Sequence, residues 1–314
     1  MTRRNLLFAA LTLTLLSLPT RTVSAQGDGD PYVDTVAQGK GRINYATGVV
    51  KATGYGAPPT GSQNPAQARL MALGAAKTDA LRNLAMAVSS IQVTATTKVK
   101  NYVTESDTIE TKITALLQNA QIVSETLGKD GIASVTVEIP LYGKRSVATA
   151  VLAEVLLGLP IPVPVPAAVP VPAVSGGFKE PKPIPKNIAL QVTPPTKEGP
   201  FTSVIVDCRG LEIQAVMSPK LYDVSGREIY GTLHVDIDYA IEVGIVGYPR
   251  TVEEALVGKR TGEKPLIVRA IRAKDPYKID IMLSNEDGRR ILEANKRDGF
   301  LEKCRVILLC DPVR

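Results

Sequence analysis

A proline-rich stretch in the middle of the chain constrains its fold more than any other feature. Twelve of the 23 prolines in the 314 residues lie between Pro160 and Pro200. Proline fixes φ and lacks the backbone N–H, so a run that alternates it with β-branched residues is extended and cannot form a helix. The sequence therefore predicts a first domain over residues 32–159, a Pro-rich segment over residues 160–200 and a second domain over residues 201–314.

Two interpretations of the Pro-rich segment stay open. Such tracts commonly act as stiff spacers between domains. Solvated spacers are usually polar, however, whereas residues 161–174 are almost wholly apolar. That composition favours an arm that packs on a neighbouring surface, such as another subunit. The side chains expected to make this contact include Ile161, Val163 and Val165.

Residues 1–25 have the three parts of a secretory signal peptide. Two arginines precede an apolar run from Leu6 to Leu18, and a small-x-small sequence ends at Ala25. The run is shorter than the roughly 20 residues that cross a bilayer, so cleavage is favoured over a membrane anchor. No cysteine follows at the cleavage site, so lipid attachment is not expected. We expect the mature chain in the periplasm or outside the cell, at most peripheral to the outer membrane, with no transmembrane helix.

Composition and charge exclude several classes of function. The single histidine, His234, cannot build a two-histidine metal site within one chain. Its neighbours Asp236, Asp238 and Glu242 match no metal motif, and we interpret the group as a solvated strand-to-helix junction. The net charge of +6 falls to +3 without the three arginines of residues 1–25, and the other Lys and Arg are dispersed. Nucleic acid is therefore not an expected partner.

No motif for catalysis or for a cofactor is present in the sequence. Gly54-x-Gly56 lacks the third glycine of a dinucleotide site, and neither a phosphate-binding loop nor a serine nucleophile elbow occurs. The sequence predicts a protein that is not an enzyme and that takes no cofactor and no metal. An enzyme would need carboxylates brought together by folding, such as Asp236 with Glu253.

The periodicity of apolar residues predicts an α+β fold for the first domain, with helices on one face of a mainly antiparallel sheet, and a mixed α/β second domain. The first domain is expected to contain a strand (42–55), a helix opened by Asn64 and Pro65, a strand (93–99), a helix opened by Asp107, a hairpin (122–141) and a short helix (146–157). The second is expected to contain a strand (204–206), a hairpin (220–230), helices (238–246, 251–257), strands (266–271, 279–283), a helix from Ser284 to Gly299 and a closing strand (304–310).

The three cysteines, Cys208, Cys304 and Cys310, leave the disulfide state open. An exported protein can keep disulfides. Cys304 and Cys310 lie in one expected strand and would be about 20 Å apart, too far for a disulfide. Cys208 can pair with either of them, as in a Cys208–Cys304 disulfide. Alternatively, all three are buried thiols that pack as small apolar side chains.

Several segments of the first domain carry a family resemblance. They are Ala52–Gly56 at a strand end, Ala68-Arg69, Ala75–Leu84 on the first helix, Val93–Val99 and the hairpin that runs to Gly143. Together they resemble small outer-envelope lipoproteins of the Lpp-twenty type and the related N-terminal domain of flagellar assembly protein T. In the second domain, Val206–Leu211, Asp223–Gly231 and Tyr239–Gly247 resemble the C-terminal part of uncharacterised exported proteins, which brings no activity.

The resemblance implies an α+β domain of proteins that work in the periplasm or at the outer membrane. Flagellar assembly protein T is a non-enzymatic ring component, so the implied partners are envelope or flagellar basal-body proteins. The matched positions on the first helix include Arg69, Asp79 and Arg82. They form either a specific polar contact with the sheet or a neighbour, or a solvated helix face. Unlike the lipoproteins, this chain has no lipid-attachment cysteine.

The sequence therefore predicts an exported, non-catalytic cell-envelope protein with an assembly or scaffolding role, of which flagellar assembly is one form, and with self-association through the Pro-rich segment. The alternative is a periplasmic binding module for cell-wall glycan or a small ligand. In that case tyrosines of the second domain would line a sugar surface, although the chain has no tryptophan. These tyrosines are Tyr222, Tyr230, Tyr239 and Tyr248.

Overall fold

The computed structural model describes residues 33–61, 64–156, 200–249, 251–274 and 276–311. The expected signal peptide and the Pro-rich segment up to residue 199, with Ile161, Val163 and Val165, lie outside the described residues. No helix within the described ranges is long and apolar enough to cross a membrane.

The first part of the chain has the predicted α+β fold. Its five strands form one sheet in the order β1-β2-β3-β5-β4, and every neighbouring pair is antiparallel. The elements are β1 (Val33–Val36), β2 (Gly41–Asn44), β3 (Val49–Gly56), α1 (Pro65–Ser90), α2 (Val99–Glu105), α3 (Asp107–Gln118), β4 (Gln121–Leu127), β5 (Ala133–Pro140) and α4 (Val147–Leu156).

Helix α1 begins where the sequence predicts. The Asn64 side chain accepts hydrogen bonds from the N–H groups of Ala66 and Gln67, at 3.0 and 3.2 Å. Pro65 occupies the first helical position, where its missing N–H costs nothing. The face of α1 turned to the sheet is built mainly from small side chains, and its fully buried residues are Ala72, Ala76, Ala80, Leu84, Ala87 and Val88.

The small residues let α1 lie directly on the backbone of β3. A Cβ added to Gly54 would stand 2.0 Å from the Ala80 nitrogen and 2.4 Å from the Ala76 oxygen. One added to Gly56 would stand 2.2 Å from the Ala72 oxygen. No side chain larger than hydrogen fits at either position, so the Gly54-x-Gly56 pair serves the contact between helix and strand.

Three local predictions for the first part are wrong in detail. Residues 42–55 form two antiparallel strands, because the chain turns between Asn44 and Val49. Residues 93–99 form a tight loop rather than a strand, closed by a hydrogen bond of 2.9 Å from the Val93 N–H to the Thr97 carbonyl. Helix α3 is capped one residue early, by Ser106, whose hydroxyl accepts from the Ile109 N–H at 3.3 Å.

The second part has two sheets. One is parallel, in the order β12-β6-β9, and the other is mixed, in the order β10-β11-β7-β8. The elements are β6 (Ser203–Asp207), β7 (Leu221–Asp223), β8 (Glu228–Tyr230), α5 (Ile237–Val243), α6 (Val252–Val257), β9 (Pro265–Arg269), β10 (Arg272–Ala273), β11 (Ile281–Leu283), α7 (Asn285–Asp298) and β12 (Val306–Leu309).

The strand-helix-strand ending of the chain joins these two sheets. Helix α7 is capped as predicted, by the Ser284 hydroxyl at its start and by Gly299 in the left-handed conformation at its end. It leads from β11 in the mixed sheet to β12 in the parallel sheet. The closing strand is shorter than residues 304–310, since Cys304 lies in the preceding turn with φ of 53°.

The two parts of the chain pack on one another. Their buried apolar side chains form one continuous cluster that runs from Ile43 in β2 to Cys310 after β12. Backbone hydrogen bonds also cross between them: the Gly143 N–H donates to the Ile241 carbonyl at 2.8 Å, and the Ser218 N–H donates to the Val93 carbonyl at 2.8 Å.

Candidate functional site

A cleft of about 620 Å³ opens between the two parts. This volume lies within the range of small-molecule sites, roughly 300–1,000 Å³. We call it the interdomain cleft. Its lining comes from the turn between β2 and β3 (45–48), Tyr142 after β5, the segment at the end of α5 (242–243, 246–249), and residues 254, 258–261 and 307.

The ring of Tyr142 is held between glycines of both parts. A Cβ on Gly48 would lie 3.1 Å from its Cδ2 atom, and one on Gly244 would lie 2.6 Å from its Cε1 atom. Gly244 also has φ of +83°, a conformation that other residues rarely adopt. Gly244 thus both ends α5 and makes room for the tyrosine of the first part.

The Tyr142 hydroxyl is buried and has no hydrogen-bond partner among the described residues. Burial raises its pKa well above the ordinary value of 10, and the nearby positive charge of Arg260 offsets only part of that rise. The phenol therefore stays protonated at neutral pH and keeps its O–H as a hydrogen-bond donor. Such a group is costly to bury without an acceptor.

Arg260 lies in the same cleft and is partly buried. Its Nη1 donates to the carbonyls of Gly244 and Cys304, at 2.9 and 2.6 Å, and its Nη2 donates to the Val243 carbonyl. These bonds cap the end of α5. Within the described ranges Arg260 forms no ion pair with a carboxylate, and burial lowers the pKa of its guanidinium.

Two further tyrosines line the cleft with their hydroxyls already bonded. Tyr45 and Tyr248 meet edge to face, with ring centroids 6.2 Å apart. The Tyr248 hydroxyl donates to the Val216 carbonyl and accepts from the Val216 N–H, both at 3.0 Å. The Tyr45 hydroxyl donates to Asp34 at 3.3 Å. These rings act as an apolar wall.

Asp79, predicted as a contact position on α1, ties the helix to the sheet. Its side chain is 15% exposed. One carboxylate oxygen accepts from the Tyr55 N–H at 3.1 Å and lies 3.5 Å from the Lys40 Nζ, while the other accepts from Arg82 at 2.5 Å. Burial alone would raise the pKa of Asp79, but these hydrogen bonds and positive charges outweigh it and lower the pKa below 3.8.

The other two predicted positions on α1 lie on its outer face. The Arg82 side chain is 69% exposed and reaches back to Asp79. Arg69 is exposed near the start of the helix. Of the three, only Asp79 links two elements of the fold, so the Asp79–Arg82 pair supports the α1–β3 contact.

The three cysteines are buried thiols. In the parallel sheet Asp207 of β6 is level with Leu309 of β12. This register brings Cys208 beside Cys310, close enough for Cys310 to contribute to the raised pKa of the Cys208 thiol, which is due mainly to burial. Cys304 lies elsewhere, beside the hydroxyl of Tyr230. The structure therefore brings Cys208 to Cys310 rather than to Cys304.

Charged side chains gather at the carboxyl edge of the parallel sheet. Asp207 accepts two bonds from the Arg209 side chain, at 2.9 and 2.8 Å, one from the Arg209 N–H at 3.2 Å and one from Arg269 at 3.5 Å. Asp311 accepts from the Gly210 N–H. This edge is where ligands bind in many parallel sheets, but here the charges satisfy one another.

The tyrosines predicted to line a sugar surface do not form one. Tyr230 and Tyr248 are buried, and the Tyr230 hydroxyl donates to the Ile245 carbonyl at 2.7 Å. Tyr222 is half-buried under the Lys274 ammonium, 3.1 Å from its ring centroid. Tyr239 is exposed. The glycan-binding alternative therefore lacks the tyrosine surface on which it was based.

The acidic residues near His234 in sequence do not gather around its imidazole to form a site. His234 Nδ1 lies 3.6 Å from a Glu228 oxygen, and Asp236 caps α5 through the Asp238 N–H at 2.9 Å. Glu253 is exposed in the first turn of α6. No group of three or more His, Cys, Asp or Glu side chains in the described part of the chain is placed to hold a metal ion.

Sequence reasoning did not identify Tyr142 and Arg260 as site residues of the interdomain cleft. Tyr142 lies at the end of the hairpin that carries the family resemblance, but no role was assigned to it, and Arg260 follows a short helix and belongs to no motif. The local signal is weak: each is next to or near a glycine, but the glycines that hold the Tyr142 ring are far from it in sequence.

The second part of the chain matches a family model. Residues 203–312, about a third of the chain, match the family model described as the second domain of Treponema pallidum Tp0624. The match begins at the first residue of β6 and includes both sheets of the second part. No curated protein matches the chain. The second part is therefore similar to that domain.

Proposed function

We propose that this chain is an exported, non-catalytic protein of the cell envelope that takes part in assembling an envelope complex. The signal-peptide pattern of residues 1–25 and the resemblance of the first part to envelope lipoproteins and flagellar assembly protein T support this role. Its partners are other envelope proteins, those of a flagellar basal body being one class. The observation that carries the proposal is the exposed edge strand β4.

Among the residues that the structure describes, none pairs with the outer edge of strand β4. It pairs with β5 on one side and ends the sheet on the other. All seven of its residues are exposed, and the side chains of Ile122, Val123 and Leu127 are 41%, 45% and 39% exposed. An apolar edge strand is a template for pairing with another chain, and proteins normally protect such edges.

The occupant that fits this edge is an extended segment of a partner protein. Backbone N–H and C=O groups of the edge supply the hydrogen bonds, and the apolar side chains supply contact area. A bulge between Ile122 and Ser124 and the charge of Glu125 interrupt the edge. These interruptions disfavour indiscriminate pairing and favour a partner strand with a matching pattern.

Site-specific photo-crosslinking in cells tests the role. A crosslinking amino acid is placed at Ile122 or Leu127, and at Val257 as control, an exposed apolar residue of α6 in the other part. The tagged chain is recovered from solubilised envelopes and its adducts are identified by mass spectrometry. We expect adducts with envelope proteins at the two β4 positions and none at Val257. Recovery of the chain without adducts at β4, or equal adducts at all three positions, would refute the proposal.

A further inference from the structure

We propose that the interdomain cleft binds a small molecule through an oxyanion group, a carboxylate or a phosphate, held by Arg260 and Tyr142. This binding role is separate from the assembly role of β4. It rests on unsatisfied donors that meet in a cavity, on the local charge balance and on the shape of the cleft.

Arg260 has donors to spare. A guanidinium carries five N–H groups. Three of them bond to the carbonyls of Val243, Gly244 and Cys304. Its Nε–H and the second hydrogen of Nη2 have no acceptor among the described residues. Capping α5 therefore leaves two N–H donors of the Arg260 guanidinium available to a ligand in the cleft that this residue lines.

Tyr142 adds a second unsatisfied donor at the same place. Its hydroxyl is buried without a partner in the described ranges, and it is close enough to Arg260 to feel its charge. The ring cannot easily turn away, because Gly48 and Gly244 hold it on two sides. A small outward shift of the hydroxyl, or entry of one ligand oxygen beside Arg260, would give the donor its acceptor.

The charge balance of the cleft favours an anion at this position. The other charged side chains lining the cleft are Glu242, Glu254 and Lys259, and all three are exposed. Water and salt screen exposed charges strongly. Arg260 is the partly buried charge of the lining, and no carboxylate neutralises it within the described structure. A bound oxyanion would supply both the missing countercharge and the missing acceptors.

The walls indicate what the rest of the ligand is like. Apolar residues of the lining include Val243, which is 41% exposed, and the edge-to-face pair Tyr45 and Tyr248, each only 3% exposed. A ligand with a flat or compact apolar body and one oxyanion fits this lining. Free phosphate would use only the polar end.

Binding is tested on the mature full chain with two probes, inorganic phosphate and benzoate. The tyrosine rings are labelled with ¹³C, and their NMR shifts are followed during titration at fixed ionic strength. We expect saturable shifts of the Tyr142 signal, which is assigned by its loss in Tyr142→Phe. Saturation by phosphate alone identifies a phosphate site, and tighter binding of benzoate identifies a carboxylate site with an apolar body.

Three variants distinguish binding at this site from general electrostatic attraction of an anion to the protein surface. Tyr142→Phe keeps the ring between the glycines and removes only the hydroxyl, and we expect its affinity, read from the Tyr45 and Tyr248 signals, to fall about tenfold. Lys259→Gln removes the neighbouring exposed charge, and we expect less than a twofold change. Arg260→Lys should abolish binding, with folding checked by circular dichroism. No saturable shift with either probe up to about 100 mM, or equal affinities for the wild type and Tyr142→Phe, would overturn the proposal.

Discussion

The contact between α1 and β3 and the contact between the two parts of the chain both depend on glycine, but they differ in what they leave unsatisfied. At the first, Gly54 and Gly56 let the helix backbone touch the strand, and Asp79 supplies the Tyr55 N–H with an acceptor. At the second, Gly244 admits the ring of Tyr142, whose hydroxyl is left without a partner among the described residues.

This difference separates a contact built for stability from one that keeps binding capacity. Buried polar groups in proteins are nearly always hydrogen-bonded, so an exception needs a reason. The α1–β3 contact has few such exceptions, because small residues and one carboxylate complete it. The interdomain contact retains donors at a cavity, which is the arrangement expected where a ligand completes the structure.

The largest expected effect is at Gly54. The Gly54→Ala substitution places a methyl group 2.0 Å from the Ala80 nitrogen, so α1 must move away from β3. We expect the free energy of unfolding to fall by more than about 3 kcal/mol. Gly74→Ala is the control, since a Cβ at that helical position meets nothing within 4 Å; it should raise stability by about 0.5–1 kcal/mol. Urea denaturation followed by circular dichroism measures both, and equal stabilities would contradict the close contact.

A smaller loss is expected at Gly244. Gly244→Ala strains a backbone with φ of +83° and drives a methyl group into the Tyr142 ring, 2.6 Å away. We expect a loss of about 2–3 kcal/mol and faster proteolysis between the two parts. Gly226→Ala shares the positive φ, at +87°, but its Cβ meets nothing within 4 Å. The fall in unfolding free energy of Gly226→Ala therefore measures backbone strain alone. If Gly226→Ala and Gly244→Ala lose the same free energy, the clash with the Tyr142 ring contributes nothing to the effect of Gly244→Ala.

The Asp79 carboxylate should contribute less, and in a pH-dependent way. Its pKa is lowered in the folded protein, so its stabilising effect is present above the ordinary value of 3.8 and is lost as the pH falls through the folded value. We expect Asp79→Asn to cost about 1 kcal/mol at pH 7, with the difference from wild type shrinking below pH 3.8. Arg82→Ala, which removes only the exposed partner, should cost less than about 0.5 kcal/mol. A pH-independent difference would contradict the role of the charge.

The smallest effect is expected when an alkylating reagent is added to the folded protein, because its buried cysteines should not react. Burial raises the pKa of Cys208 well above 9 and raises that of Cys304 to about 11. Since the thiolate is the reactive form, neither should react with iodoacetamide at pH 8 until the chain unfolds. Mass spectrometry before and after denaturation counts the modified thiols. An intact mass lower by two hydrogens in non-reducing conditions would instead demonstrate a disulfide, with Cys208–Cys310 the pair in contact.

Local chemistry made much of the fold predictable. The Asn64-Pro65 start of α1, the Ser284 and Gly299 ends of α7 and the turn between β7 and β8 depend on residues close in sequence. The residues that form these caps and this turn can therefore be identified from the sequence. The α+β class was predictable from the spacing of apolar residues along the chain, which repeats every three or four residues in helices and every two in strands.

The candidate site was not predictable in the same way. The surroundings of Tyr142 come from Gly48, Gly244 and Arg260, and these residues belong to three separate segments. No spacing rule links them. The prediction of a strand over residues 93–99 was wrong for a related reason. Val93 and Val99 are both buried, as they would be in a strand, but here a tight loop and the start of α2 bury them.

The two glycines that hold the Tyr142 ring are synthesised at different times. A ribosome delivers the chain from its N-terminus, so Tyr142 emerges about a hundred residues before Gly244, and Gly48 emerges earlier still. Until then nothing from the second part lies against that side of the ring, where Gly244 packs in the complete chain. A chain that stops before the second part therefore lacks one of the two contacts that fix the Tyr142 ring.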